Sequence, residues 1–298
     1  MAEQFNEHRI VYKSKKINDI KMGKGTKNLF LCLFFSLCSL TVISQSYLEG
    51  YVKDSKTHEI LSYVNIGIIG KNVGTVSNQK GGFKILLDDK YSNDSLRFSM
   101  LGYSSKTYKI TDAIKKFTNP VVIDLEPRSV QLDEVVIQSR PFKKKILGNT
   151  TESKAVSAGF SSNELGNEVG IVIKIKNKPT YIEAFNVSIA NNKYDTVKFR
   201  INFYTLKDGL PDKNILRQPI IVKTTLKTGI LSVDLRKYNI VVDEDFFAAL
   251  EWIEDLGKDG LYFSASLMGS PIIARYTSQG DWRKVGPVSL GFNVMVKY

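Results

Sequence analysis

The sequence is poor in the residues that most metal sites and covalent active sites need. Its 298 residues include two cysteines and two histidines, and three of these four, His8, Cys32 and Cys38, lie among the first 44 residues. Beyond them only His58 remains. This excludes disulfides, thiol nucleophiles and the usual Cys/His zinc sites there, and leaves a Ser–His–Asp triad one candidate base. We therefore expect no cofactor, no metal and no catalytic group.

An apolar segment near the N-terminus predicts export. Residues 29–43 form an uncharged apolar run that follows three lysines and precedes Ser44. A signal peptide has an apolar core of roughly 7–15 residues, whereas a transmembrane helix needs about 20. The sequence predicts a signal peptide over 1–44, with Met22 as a possible true start, and a location in the periplasm, outer membrane or cell surface. A permanent N-terminal anchor is the alternative.

The charge is moderately positive. The chain carries a net charge of +12, and the first 44 residues hold seven Lys or Arg against three Asp or Glu, so the remaining 254 residues keep +8. An exported protein rarely meets nucleic acid, which excludes that partner. The surplus favours solubility or attraction to anionic envelope polymers. We expect an envelope protein or a glycan as partner, with possible peripheral association with the outer membrane.

Residues 45–138 show short alternating runs separated by turn-forming residues. Val64, Ile66 and Ile68, for example, project to one side of a strand at a period of two. Seven such strands in about 90 residues are typical of a β-sandwich, with one brief helical turn at 111–117. The predicted strands are 48–53, 63–68, 82–87, 95–100, 105–110, 121–125 and 134–138.

A basic and polar segment, 139–163, interrupts this rhythm and predicts an extended linker. Longer strands follow in 164–298, which favours a larger β-sandwich or jelly roll. In the run 196–204, phenylalanine and isoleucine side chains face one side, and Arg200, Asn202 and Tyr204 face the other. The predicted strands are 169–176, 180–189, 196–204, 220–223, 229–234, 245–252, 260–266 and 289–296. The fold class predicted is all-β, in two domains, 45–138 and 164–298.

A series of short motifs in the first half resembles a known family. In order they are Gly50-Tyr51-Val52-Lys53-Asp54, Gly74-Thr75-Val76-Ser77-Asn78, Gly81-Gly82-Phe83, Ser99-Met100-Leu101-Gly102-Tyr103 and Leu132-Asp133-Glu134-Val135-Val136-Ile137. This order resembles the carboxypeptidase regulatory-like domain of Gram-negative envelope proteins, often found ahead of TonB-dependent receptor barrels. The resemblance implies a seven-stranded transthyretin-like sandwich that is a passive appendage, not a zinc carboxypeptidase. The second half resembles sandwich modules paired with this domain in exported proteins and, distantly, carbohydrate-binding jelly rolls, a likeness of architecture that does not determine function.

Four aromatic residues are candidates for stacking on sugar rings: Tyr204, Tyr262, Tyr276 and Trp282. Trp282 is the strongest, because it lies in the polar loop 278–283, and an exposed loop aromatic is a suitable binding anchor. The alternative for each is packing in the core or at a sheet edge.

Several acidic and glycine-rich segments have both a functional and a structural interpretation. Glu251 lies between apolar neighbours, where a raised pKa would suit a general acid of a glycosidase, although pairing with Arg or Lys is commoner. Asp234 and the run 243–245 could offer oxygens to Ca²⁺ but lack the loop spacing, so solvated turns are favoured. The segment 67–74 fits no nucleotide-binding loop and favours a hairpin turn.

The sequence thus predicts an exported, non-enzymatic binding or docking protein of a Gram-negative envelope, with a glycan or a protein as ligand. One alternative is a carboxylate-dependent glycoside hydrolase that uses Glu251 with a second acid. The other is a purely structural component whose edge strands pair with another envelope protein. The oligomeric state is not predicted.

Overall fold

The computed structural model describes residues 46–128, 141–160, 163–257 and 260–298. The predicted signal peptide (1–44), the predicted strand 134–138 and the motif that begins at Leu132 lie outside the described residues. Within the described ranges, no helix has both the length and the apolar composition needed to cross a membrane.

The first sandwich is built from eight described strands and one short helix. The strands are β1 (Ser46–Asp54), β2 (Asn65–Ile68), β3 (Gly74–Val76), β4 (Gly82–Leu87), β5 (Ser95–Ser99), β6 (Tyr103–Ser104), β7 (Lys106–Lys109) and β8 (Val121–Pro127). Strands β4-β1-β8-β6 form one sheet and β3-β2-β5-β7 the other. Helix α1 (Ile110–Lys116) follows β7, and a 3₁₀ turn lies at Asp89–Tyr91.

Alternation along these strands produces the core of the first sandwich. On β5, Leu96 and Phe98 are buried while their neighbours are partly exposed. Phe98 meets Phe83 of the opposite sheet edge-on, with ring centroids 5.4 Å apart, a favourable aromatic arrangement. The turn after β1 is closed by Asp54, whose Oδ1 accepts hydrogen bonds from the backbone N–H groups of Lys56 and Thr57. The predicted all-β sandwich is confirmed.

The second sandwich is larger. Its strands are β9 (Lys144–Gly148), β10 (Ser157–Gly159), β11 (Glu168–Ile173), β12 (Thr180–Asn192), β13 (Val197–Lys207), β14 (Leu210–Asn214), β15 (Ile220–Thr224), β16 (Gly229–Asp234), β17 (Ile240–Val242), β18 (Phe246–Trp252), β19 (Leu261–Ser266), β20 (Ile272–Arg275), β21 (Arg283–Val285), β22 (Ser289–Leu290) and β23 (Phe292–Lys297). Strands β10-β19-β12-β23-β9 form one sheet, in which β16 and β17 also pair with β12 and β22 pairs with β19. Strands β14-β13-β18-β11-β20-β21 form the other sheet, in which β15 also pairs with β13.

The core of the second sandwich lies between these two sheets. Phe199, Ile201 and Phe203 of β13 point into it, on the side predicted from their alternation. Phe203 meets Phe185 of the other sheet edge-on, with ring centroids 5.7 Å apart. One face of β13 is therefore fully occupied by the core, and its polar face is directed away from it.

The segment 139–163, predicted to be an extended linker, contributes two strands to the second sandwich. Strand β9 pairs with β23, and β10 pairs with β19. The prediction of a linker from the basic and polar composition was wrong, because these strands are held by backbone hydrogen bonds to sheet edges. Such pairing needs few apolar side chains. Leu147 is the partly buried residue of β9 that packs against the large core.

The two sandwiches pack directly against each other, and the described residues from 46 to 298 form one compact unit. Tyr63 and Val76 of the first sandwich share a small apolar cluster with Leu165 and Ile253 of the second. The β2–β3 hairpin lies at this junction, and Gly67 and Gly74 face each other across it. The segment 67–74 is thus a hairpin, as favoured from the sequence.

Close contact with the backbone of the second sandwich explains why Gly67 and Gly74 of this hairpin are glycines. A Cβ atom on Gly67 or Gly74 would lie 2.3 Å from the carbonyl oxygen of Ser278 in the second sandwich. A real Cβ cannot approach an oxygen so closely, and the neighbour is backbone that cannot rotate away. Glycine is required because only a residue without a side chain permits this approach.

We expect Gly74→Ala to lower the free energy of unfolding by about 2 kcal/mol, the usual scale of overpacking, because the hairpin must move away from Ser278. Urea unfolding monitored by circular dichroism measures the effect. Gly82→Ala is the matched control, since its Cβ would meet only side-chain atoms, the nearest being Nδ2 of Asn78 at 3.1 Å. Equal losses in the two variants would contradict this account of the junction.

Candidate functional site

Four buried charged residues form a row across the second sandwich. Arg200 on β13 lies opposite Glu251 on β18, Glu251 lies opposite Glu168 on β11, and Glu168 lies opposite Arg275 on β20. Both glutamates are 0% exposed, and Arg200 and Arg275 are 3% and 9% exposed. The row therefore reads positive, negative, negative, positive, on the face of the sheet that is turned away from the large core.

Each arginine of the row is paired with one glutamate. Arg200 binds Glu251 through two hydrogen bonds, Nε to Oε2 at 2.7 Å and Nη2 to Oε1 at 2.9 Å. Arg275 Nη2 lies 2.7 Å from Oε2 of Glu168. The paired geometry of Arg200 is the strong, two-pronged form of an arginine–carboxylate interaction.

The two like-charged carboxylates at the centre of the row share a bridging amide. Asn202 Nδ2 donates to Oε1 of Glu168 at 2.8 Å and to Oε2 of Glu251 at 2.9 Å. The hydroxyl of Tyr204 donates to Oε2 of Glu168 at 3.2 Å. These donors offset part of the repulsion expected between like charges directly opposite each other in a sheet.

The two glutamates differ in acidity. Burial raises the pKa of Glu168 to about 7, against the attraction of Arg275 and with a further contribution from the charge of Glu251. Burial acts in the same direction on Glu251, but the Arg200 guanidinium opposes it and holds the pKa of Glu251 below its ordinary value. The pair thus divides into one carboxyl that is easily protonated and one that stays ionised.

Arg200 also connects the row to the first sandwich. Its Nη1 donates to the carbonyl oxygen of Tyr63 at 2.7 Å, and its Nη2 donates to Oδ1 of Asn65. Nearby, the Tyr63 hydroxyl donates to Oε1 of Glu254 at 3.0 Å, and Glu254 forms an ion pair with Lys198. The junction is therefore held by charged and polar contacts as well as by its apolar cluster.

A cavity of about 240 Å³ lies beside this row, between the two sandwiches. Three arginines line it: Arg97 from the first sandwich and Arg200 and Arg275 from the second. No aspartate or glutamate side chain of the described residues lines it. Neutral hydrogen-bonding side chains complete the polar wall: Asn65, Ser99, Ser105, Asn202, Tyr204, Asn214 and Gln279.

Two features show that the wall is preorganised by cross-contacts. Gln279 Nε2 donates to Oγ of Ser99 at 2.8 Å, which joins the two sandwiches, and Gln279 has a left-handed φ of 63°, a conformation uncommon for residues other than glycine. Asn214 Nδ2 donates to Oδ1 of Asn202 at 2.9 Å. The amide groups are therefore oriented by fixed partners.

Arg275 has unused hydrogen-bonding capacity. Its buried Nε has no hydrogen-bond partner among the described residues. A buried donor without an acceptor costs roughly 1–3 kcal/mol, so such atoms are rare and each needs an explanation.

The four predicted aromatic residues do not form one surface. Tyr204 is buried and lines the cavity. Trp282 is half-buried, with its ring centroid 5.6 Å from that of Tyr204, 5.2 Å from that of Phe247 and 4.8 Å from the Arg275 guanidinium carbon. Half-buried Tyr276 lies near Arg283, and Tyr262, 38% exposed, is on β19 of the other sheet. Trp282 thus packs on Arg275, at one end of the charged row, instead of extending from a free loop.

Sequence reasoning missed most of the cavity. Alternation along β13 placed Arg200, Asn202 and Tyr204 on one face, which is correct, and pairing of Glu251 with a basic residue was expected. Glu168, Arg275 and Arg97 were not identified, because their importance comes from cross-strand register and from the junction. A buried carboxylate at the start of an otherwise apolar strand, as at Glu168, is the one signal that could have suggested the row.

The other candidate residues have structural partners. Asp234 forms an ion pair with Arg236, and Asp245 accepts a hydrogen bond from the backbone N–H of Ile175. No cluster of three or more potential metal ligands occurs among the described residues. His58 is exposed in a turn with φ of 59°.

Comparison with known proteins identifies the first sandwich. Residues 48–137 match the family model described as the CarboxypepD_reg-like domain. These residues form a carboxypeptidase regulatory-like domain, which confirms the resemblance seen in the motifs. The match covers less than a third of the chain. Among curated proteins, none matches this sequence.

Two solved structures are similar in part. One contains the cysteine protease and lectin-like domains of Cwp84, a surface layer associated protein of Clostridium difficile, with 9% identity over 85% of this chain and 58% of that chain and a TM-score of 0.39. The other is the structure of infectious bursal disease virus Gx strain, with 11% identity over 85% of this chain and 62% of that chain and a TM-score of 0.27. The present chain thus spans less than two thirds of either.

We expect Glu251→Gln to lower the free energy of unfolding by about 3–5 kcal/mol, the usual cost of breaking a buried ion pair, because Arg200 would be left as a buried charge. Asp234→Asn is the control, since the Asp234–Arg236 pair is exposed and such pairs contribute about 0–1 kcal/mol. Chemical denaturation of both variants measures the difference. Similar losses would contradict the central place of the Arg200–Glu251 pair.

The raised pKa of Glu168 predicts a specific pH dependence. The folded protein retains a proton on Glu168 between its ordinary pKa of 4.5 and about 7, whereas the unfolded chain releases it. This group therefore makes stability fall as pH rises through that window, by at most about 1.4 kcal/mol per pH unit.

Glu168→Gln cannot titrate, so its stability relative to the unmodified protein should increase from pH 5 to pH 8. Removing the partner of Arg275 also lowers the free energy of unfolding by an amount that does not depend on pH, and this amount cancels in the comparison of the two pH values. Urea unfolding of both proteins at the two pH values provides the measurement. A stability difference that is the same at pH 5 and pH 8 would show that Glu168 titrates normally.

Proposed function

We propose that this protein is an exported, non-enzymatic binding protein of the cell envelope, and that the junction cavity binds a sugar residue of a glycan. The observation that carries the proposal is the composition of the cavity wall. Four amides, three hydroxyls and three guanidinium groups line it, whereas Glu168 and Glu251 do not.

This wall suits sugar hydroxyls. A sugar hydroxyl both donates and accepts, and the amides of Asn65, Asn214 and Gln279 offer both functions in fixed orientations. The cavity of about 240 Å³ is smaller than the roughly 300–1,000 Å³ typical of pockets for drug-sized ligands. It fits one terminal residue or side group of a glycan better than an extended chain.

The positions of the carboxylates support binding over hydrolysis. A glycosidase needs two carboxyl groups that flank the scissile bond. Glu168 and Glu251 are fully buried behind Arg200, Asn202 and Arg275, and their oxygens accept hydrogen bonds from these residues. Their different acidity therefore belongs to the packing of the sheet, in this proposal, and not to chemistry on a substrate.

The proposal of export rests on the sequence. The apolar run 29–43 is its support, whereas the lack of cysteine and of a zinc ligand set beyond residue 44 supports the non-enzymatic part of the proposal. The carboxypeptidase regulatory-like domain would provide the docking part of the molecule and one wall of the cavity. A protein partner in place of a glycan is the alternative that the binding experiment addresses.

We expect Ser105→Trp to abolish glycan binding, because an indole at this exposed edge of the cavity would fill it. Ser104→Trp is the matched control, since Ser104 is an equally exposed neighbour on the same segment and does not line the cavity. Binding of the purified protein and both variants is measured on an array of bacterial-envelope and plant polysaccharides.

The proposal requires at least one glycan that binds the unmodified protein and Ser104→Trp equally well but not Ser105→Trp. Absence of any bound glycan, or equal binding by both variants, would overturn it. Release of reducing sugar that is lost in Glu251→Gln would establish the hydrolase instead.

A further inference from the structure

We propose that the junction cavity selects a sugar that carries a carboxylate, a hexuronic acid residue, and that Arg97 is the principal contact to its carboxylate. This inference rests on the proposed function, because it specifies the class of sugar that the same cavity receives.

Arg97 is the cationic group of the wall without an acidic partner. It forms no ion pair with any described residue, and its Nη2 donates only to the hydroxyl of Ser105, at a long 3.3 Å. Arg97 is half-buried, and Ser105 is exposed, so this guanidinium lies at the solvent side of the cavity. An entering anion would meet a positive charge that the protein itself does not neutralise.

The other two arginines of the wall add to this preference. Their carboxylate partners, Glu251 and Glu168, are fully buried and lie behind the cavity wall, whereas the guanidinium groups of Arg200 and Arg275 are part of it. The wall therefore offers N–H donors and positive charge, with no acidic side chain of the described residues to repel an anion.

A sugar carboxylate fits this combination better than a neutral sugar or a simple anion. A carboxylate is planar and matches the forked N–H geometry of a guanidinium. The amides and hydroxyls that line the rest of the cavity would be left without partners by a bare anion such as acetate. A uronic acid uses both kinds of contact, and its ring fits a cavity of about 240 Å³.

The test compares sugars that differ only in charge. Isothermal titration calorimetry of the purified protein at low salt uses the methyl glycosides of galacturonic acid and glucuronic acid, the corresponding uronamides, and acetate. We expect one uronate to bind at least about tenfold more tightly than its uronamide and than acetate. The difference should shrink as salt is added, since part of it is electrostatic and exposed to screening.

Two variants locate the contact. Arg97→Gln should reduce the preference for the uronate over the uronamide to less than about threefold. Arg236→Gln is the control, because Arg236 is exposed in the 3₁₀ turn Arg236–Tyr238 and lies outside the cavity wall. It should retain the full preference.

The outcomes separate this inference from the proposed function. Equal affinity for uronate and uronamide, or binding only of neutral glycans on the array, would overturn the inference and leave the proposed function intact. A preference that survives in Arg97→Gln would overturn the assignment of the contact. Acetate binding as tightly as the uronates would show a simple anion site, and no saturable binding of any sugar would remove both proposals.

Discussion

The contact between Arg200 and Glu251 is the constraint on which the rest of the structure depends. A guanidinium has five N–H donors in a fixed plane, and Arg200 uses them in two directions. Two bonds hold Glu251 within the sheet, and others reach Tyr63 and Asn65 of the first sandwich. The same side chain thus neutralises a buried acid and attaches one sandwich to the other. The cavity lies beside this residue, between the two sandwiches, so its position follows from the contacts of Arg200.

The charged row contributes little net stability to the junction for the number of charges that it buries. Buried ion pairs gain little over apolar residues of similar volume, because desolvation offsets most of their attraction. The sheet face next to the row shows that apolar packing was available, since Phe247, Ala249 and Ile273 form a small cluster with Trp282 there. What an apolar row could not provide is a set of oriented N–H groups at the cavity wall. The row thus supplies the oriented N–H groups that the proposed binding would use.

The sequence predicts much of the architecture and little of the site. Period-two alternation is a local property, so the strands around Val64 and along β13 are recognised with their correct faces. Strand β9 escapes prediction because its stability comes from pairing with β23, more than 140 residues away. The charged row could not be predicted for the same reason, since Glu168 and Arg275 become neighbours only through the register of β11 with β20. Trp282 looks exposed from its polar neighbours, but packing against Tyr204 determines its environment.

The first sandwich is more than an appendage in this chain. The motif that begins at Ser99, one of those that identify the carboxypeptidase regulatory-like domain, supplies Ser99, Met100 and Leu101 to the cavity wall. Leu101 also packs against the core of the second sandwich, and Gly67 and Gly74 allow the β2–β3 hairpin to touch the Ser278 backbone. The domain therefore uses one edge of its sandwich to complete a cavity that neither sandwich could enclose alone. Separation of the two sandwiches would expose the row to water, so the proposed binding in the cavity depends on an intact junction.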